Sequence, residues 1–169
     1  MKRRLSFALV SAVLLSATAA THAATRTWSG AVSTSWGTAI NWAESVVPVN
    51  GDDLVFPDSP TNRTSNNNIA GLSVASVTVT TMNSGAAYDF IGNGITLTGP
   101  ITFSNPGVGS GSGDPNWAIP ITLGASITMT SDGRVTPFNA TIGLGANTLT
   151  IAGGGDLWIN GIVSGAGGI

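Results

Sequence analysis

Apolar and polar residues alternate along most of this chain with a period of two. "VTVT" from Val77, "ITLT" from Ile95, "ITF" from Ile101, "ITL" from Ile121, "ITMT" from Ile127 and "LTI" from Leu149 each set an apolar residue beside a threonine. Such alternation sends successive side chains to opposite faces of a strand. Threonine and the β-branched aliphatics suit that pleated surface. From Thr25 onward the helix formers Glu, Lys and Gln are nearly missing, so no amphipathic helix is expected there. Turn chemistry separates the runs: "GNG", "GP", "SNPG", "SDG", "LGAN" and "AGGGD".

The runs recur. "ITLTGPITF" from Ile95 and "ITLGASITM" from Ile121 are near copies 26 residues apart. Pairs of beats begin at Ile95/Ile101, Ile121/Ile127 and Ile142/Leu149. First beats stand 26 and 21 residues apart, second beats 26 and 22. An interval of roughly 20–30 residues marks stacked repeats, each too small to bury its own apolar side. The spacing predicts an all-β parallel β-helix, or β-solenoid. Each coil supplies two or three short strands that bond to their counterparts one coil away. Ile, Leu, Val, Phe and Met point inward and Thr outward. An antiparallel β-sandwich also shows short strands at even spacing and is the alternative. The likeness of successive pairs favours the helix, while the unequal interval weighs against it. Surplus residues would have to leave the coil as a loop, for which "GVGSGSGDPNW" (Gly107 to Trp117) has the flexible Gly/Ser composition.

The two ends depart from the repeat. "MKRR", the apolar run Leu5–Leu15 and the small-residue stretch "SATAATHAA" form the three parts of a secretory signal peptide over residues 1–23. The eleven residues Leu5–Leu15 are too few to span a bilayer, which takes about 20. Cleavage after Ala19 or Ala23 is compatible with the pattern, and Ala23 is favoured. Residues 24–60 hold Trp28, Trp36 and Trp42, three of the five tryptophans. Large aromatic faces suit a cap over the open end of a coil stack, so this segment is read as cap or entry strands. Coils are expected over residues 61–169, regular from Leu72, with "SPTNRTSNNN" (Ser59 to Asn68) as the loop before them.

Removing the leader takes away Lys2, Arg3 and Arg4. The mature chain then holds three arginines (Arg26, Arg63, Arg134) against eight acids, a net charge of −5. No lysine follows Lys2, the lone histidine is His22, and there is no cysteine. A thiolate nucleophile, a Cys/His zinc site and a Ser-His-Asp relay are thereby excluded. Three scattered arginines cannot track a phosphate backbone, so no nucleic-acid partner is expected.

The segment "TWSG…SWGTAINWAESVVPVNGDDLVF" resembles the N-terminal part of bacterial autotransporter-associated β-strand repeat proteins. Its matching elements are Trp28 with Gly30, Asn41-Trp42, Pro48, Gly51-Asp52-Asp53 and Leu54 to Phe56. "LSVASVTVTTMNSGAAYDFIGNGITLTGPITFSN", "WAIPITLGASITMTSDG" and "GANTLTIAGGGDLWINGIVSGAGGI" are similar to the sections that follow in that family. In it, "GAGGI" typically leads into another strand unit, and here the sequence stops at that point. The resemblance implies the N-terminal piece of an exported structural passenger, displayed on the cell surface or outer membrane or released. It also implies an outer-membrane translocation barrel in the full-length protein, and no catalytic residues or cofactors.

Other chemistry is thinner. Asp52-Asp53 with Asp58 is the densest acidic group, and "NGDD" reads as a tight turn rather than a Ca²⁺ loop. A carbohydrate-active enzyme fragment would draw a carboxylate pair from Asp89, Asp114, Asp132 and Asp156, and Arg134 is the sole candidate lyase base in the coils. Fold analogy alone does not support that reading. Trp158, between Leu157 and Ile159, should point outward. With Trp117 it is a candidate contact for surface glycans or a host-cell partner, which makes an adhesin the alternative function.

Overall fold

The structure, a computed structural model, describes residues 23–80, 87–104, 114–133 and 136–169. The leader expected over residues 1–23 lies outside them but for Ala23, as do Arg134 and residues 107–113 of the Gly/Ser stretch. The described residues form short strands wound into a parallel β-solenoid of five coils. An entry strand, β1 (Thr25–Thr27), precedes them. The first coil holds β2 (Asp53–Phe56), β3 (Thr64–Asn67) and β4 (Ser73–Val74). The second holds β5 (Ser76–Thr80), β6 (Asp89–Gly92) and β7 (Ile95–Leu97). The third holds β8 (Ile101–Ser104), β9 (Asn116–Trp117) and β10 (Ile121–Leu123). The fourth holds β11 (Ile127–Asp132), β12 (Thr136–Phe138) and β13 (Ile142–Gly145), and the fifth β14 (Leu149–Ala152), β15 (Leu157–Ile159) and β16 (Val163–Gly165).

Each coil gives one strand to each of three parallel sheets. Sheet 1 runs β1-β2-β5-β8-β11-β14, sheet 2 runs β3-β6-β9-β12-β15, and sheet 3 runs β4-β7-β10-β13-β16. The first beats of the repeat are rungs of sheet 3: Ile95 pairs with Ile121, and Ile121 with Ile142. The second beats are offset. Ile101 pairs with Met129, while Ile127 pairs with Leu149. A shift of two residues keeps the same face inward, so the column survives it. Along sheet 1 the inward positions Leu54, Val77, Ile101 and Met129 are all buried and lie in register.

Connection length explains the unequal interval. From sheet 1 to sheet 2 the chain spends between three residues (133–135) and eleven (105–115). From sheet 3 back to sheet 1 it spends between one (Ala75) and three (98–100, 124–126, 146–148). From sheet 2 to sheet 3 it spends between two (93–94) and five (68–72), so most of the variation falls at the corner from sheet 1 to sheet 2. Regular stacking starts earlier than Leu72, because β2 already lies in register on β5. Ser59–Asn68, expected as a loop, contains β3, which pairs with β6.

At the first end, Trp28, Trp36 and Trp42 are buried to 1% exposure or less. Trp42 meets Trp28 edge-on at 5.1 Å and Trp36 at 5.9 Å, and all three indoles lie against Phe56. Each indole N–H has an acceptor: Trp28 donates to the Asn62 carbonyl, Trp36 to Ser65 Oγ and Trp42 to the Trp36 carbonyl. The buried Asn41 ties the segment together. Its Oδ1 accepts from Val32 N and Ser33 N, and its Nδ2 donates to Ser33 Oγ and the Ser35 carbonyl. From this end an aromatic column continues through Phe56, Phe90, Trp117 and Phe138.

Candidate functional site

The outer face of sheet 2 carries the most distinctive polar arrangement. Strand alternation turns Phe90, Trp117 and Phe138 inward and leaves Asp89 and Asn116 outward. Asn116 Nδ2 donates to Asp89 Oδ1 at 2.7 Å, Asn139 Nδ2 to Asn116 Oδ1 at 2.7 Å, and Asn160 Nδ2 to Asn139 Oδ1 at 2.9 Å. This ladder runs up four coils along the face. Its signal in the sequence is an Asn recurring at nearly the coil interval, which the strand pattern alone does not single out.

Trp158, on β15, stands two residues before Asn160, which lies just past that strand's end, and is 57% exposed. Leu157 and Ile159 flank it, turn inward and pack on the core. Trp158 is thus available as an aromatic platform beside a column of amides. Trp117 is not. It is fully buried, stacked on Phe138 at 5.5 Å and 17°, with its Nε1 donating to the Ile119 carbonyl. The expected glycan contact at Trp117 is corrected on that ground: the coil has resumed by Asn116, and alternation sends the next side chain into the core.

The candidate acids are dispersed. Asp89 belongs to the amide ladder. Asp132 ends β11, where its Oδ1 receives Gly154 N, and Asp114 and Asp156 lie in connections from sheet 1 to sheet 2. Asp52, Asp53 and Asp58 also part company. Asp53 accepts from Ser76 Oγ, Asp58 faces Arg63 at 3.7 Å, and Asp52 is buried beneath the cap. Among the described residues no three His, Cys, Asp or Glu groups come together as a metal site would require.

Asp52 accepts three hydrogen bonds from the segments around it. Its Oδ2 accepts from Arg26 Nε at 2.8 Å and Val49 N at 3.0 Å, and its Oδ1 accepts from Ala24 N at 3.3 Å. The turn that positions it runs Val49-Asn50-Gly51-Asp52, closed by Asp52 N to the Val49 carbonyl, with Gly51 at φ +89°. That positive φ is the reason the turn needs glycine at its third place. Nearby, burial works to raise the Glu44 carboxyl. Hydrogen bonds from Thr27 and from Glu44's own backbone, with the charge of Arg26, outweigh burial and hold it below its ordinary value. Burial pushes the Tyr88 phenol far above its ordinary value; Arg63 opposes this and Asp58 adds to it. The Arg26–Asp52 pair carries no local sequence signal, since its members lie 26 residues apart and meet through the pairing of β1 with β2.

Comparison with known protein families, with curated proteins and with solved structures returned no match for this chain.

Proposed function

We propose that this chain is an exported structural module, the N-terminal part of a β-solenoid passenger of the autotransporter type, working at the cell surface. The observation that carries the reading is the stack itself: its first coil is closed by three interlocked indoles, and each later coil lies in parallel register on the one before. Such an arrangement suits a rod built coil upon coil, each templating the next. Backbone ladders on three sides and a continuous apolar column give stiffness. A surface of hydroxyls and amides keeps the rod soluble with few charges. Sequential coil formation would also favour emergence through an outer-membrane translocation barrel.

The test replaces Leu97, Leu123 and Leu149, all buried, with Asp in the full-length protein and measures surface display. Loss of display with the precursor retained in the cell supports the reading; unchanged display overturns it.

A second reading, glycan or host-surface adhesion, draws on one observation: Trp158 is exposed on the face that bears the Asp89–Asn116–Asn139–Asn160 ladder. Aromatic faces beside amides are the usual surface for a sugar ring, through stacking and hydrogen bonds. A glycan array with wild type and Trp158→Ala decides it. Binding that disappears in the variant supports adhesion, and no binding at high micromolar protein discards it.

A further inference from the structure

A buried carboxylate is costly unless positive charge and hydrogen bonds compensate it. Asp52 is 3% exposed. Among the described residues Arg26 is its cationic partner, and the same guanidinium also acts on Glu44. One cation therefore serves two carboxylates. The remaining Asp52 oxygen, Oδ1, faces the backbone nitrogen of Ala24 at 3.3 Å. That nitrogen follows Ala23, the residue after which cleavage is favoured. Ala23 is exposed and Ala24 half-buried, so the bond between them lies at the border of the folded cap, beside a cavity of about 290 Å³ next to Asp52.

We propose that Ala24 is the first residue of the working protein and that its new α-ammonium closes on Asp52, locking the cap once the leader is removed. A signal-cleaving peptidase would hydrolyse the Ala23–Ala24 amide. Water supplies OH to the Ala23 carbonyl carbon and H to the Ala24 nitrogen, which takes up a further proton near neutral pH. An amide donor without net charge becomes an ammonium with three N–H groups, already within reach of Asp52 Oδ1. Arg26 and the ammonium then balance Asp52 and Glu44. Asp53, the adjacent carboxylate, is bonded to Ser76 Oγ. Cleavage after Ala19 would leave the Ala24 nitrogen an uncharged amide and form no lock.

This inference rests on the export reading, and the experiment separates the two. The exported protein is recovered and its N-terminal sequence determined. A first residue Ala24 is expected. A first residue Ala20 overturns the lock and leaves export standing, whereas a chain retained in the cell with its leader attached overturns both. The span from Ala24 to Ile169 contains no lysine, so its α-amine is the sole primary amine there and can be acetylated selectively. Acetylation should be at least about fivefold slower in the folded protein than in the unfolded one. Once acetylated, the protein should unfold with an equilibrium constant about fivefold larger. A chain starting at Ala23, one residue longer, should show the same loss as the acetylated form, and Asp52→Asn should erase the effect of acetylation. Equal stability of the free, acetylated and extended forms overturns the proposal, and that comparison needs no substitution in the core.

Discussion

The indole N–H of Trp36 donates to the hydroxyl of Ser65 at 2.5 Å, and both side chains are fully buried. Ser65 occupies the register position that Phe90, Trp117 and Phe138 fill in the next three coils. A small hydroxyl at this rung makes room for the cap indole and satisfies its donor. Ser65→Ala should cost about 1–3 kcal/mol by leaving the N–H unpaired. Ser65→Phe should cost at least as much, by overpacking against Trp36. Denaturant midpoints followed by tryptophan fluorescence check both.

Asn41 is the polar knot of the same segment, with four hydrogen bonds made by one buried amide. Asn41→Ala should destabilise by about 2 kcal/mol or more, since each stranded buried group costs roughly 1–3 kcal/mol. Hydrogen exchange should show the amides of Val32 and Ser33 losing protection, while strands of the fourth coil keep theirs.

The single tyrosine offers an optical test. Burial raises the Tyr88 phenol above its ordinary value, and its hydroxyl donates to the Pro57 carbonyl at 2.7 Å. A folded-state value above the unfolded one means stability that is fully present below the unfolded value of 10.0 and is lost as pH rises beyond it. Absorbance at the tyrosinate band should therefore stay flat in the folded protein at pH values where the denatured chain is already ionised. The first rise should coincide with unfolding. A reversible titration near the ordinary value with the fold intact would contradict the burial.

Two glycines separate crowding from backbone strain. A Cβ on Gly161 would sit 1.7 Å from the Ala140 carbonyl oxygen of the coil beneath, so Gly161→Ala must push two coils apart at that corner. Gly51 has open space around it but a φ of +89°. Gly51→Ala should cost only the left-handed penalty, about 1–2 kcal/mol. Gly161→Ala should cost more and expose neighbouring amides to exchange. Thermal unfolding of both variants makes the comparison.

Tryptophan emission gives a further check. Four of the five indoles are buried to 1% or less, while Trp158 is 57% exposed. Iodide should quench a minor fraction of the emission, and Trp158→Phe should abolish that fraction with little change in stability.

The repeat was legible where burial and periodicity say the same thing. Ile95, Ile121 and Ile142 are rungs because an Ile-Thr alternation recurs with nothing to interrupt the inward face. Ile101 and Ile127 look equivalent in the sequence yet differ by two residues in register, since a two-residue slip preserves the inward face and leaves no mark on the pattern. β3 was hidden because "TSNN" reads as turn chemistry. It becomes a strand only because the buried Ser65 and Asn67 find partners in Trp36, Asn93 and Ile69. Trp117 was misplaced because the Gly/Ser run before it suggested a loop, and the point where a loop rejoins a coil is not encoded in composition. Asp52 and Arg26 carry no local signature, being brought together by strand pairing.

The three corners of the prism differ in what they tolerate. Two are built from short links, of one to three and of two to five residues, but the corner from sheet 1 to sheet 2 absorbs anything from three to eleven residues while the rungs on either side stay paired. Foreign peptide spliced there would hang from a rigid mast at a known height. A single ridge of this kind lets the exterior diversify while the scaffold stays fixed, and it marks where a display tag belongs.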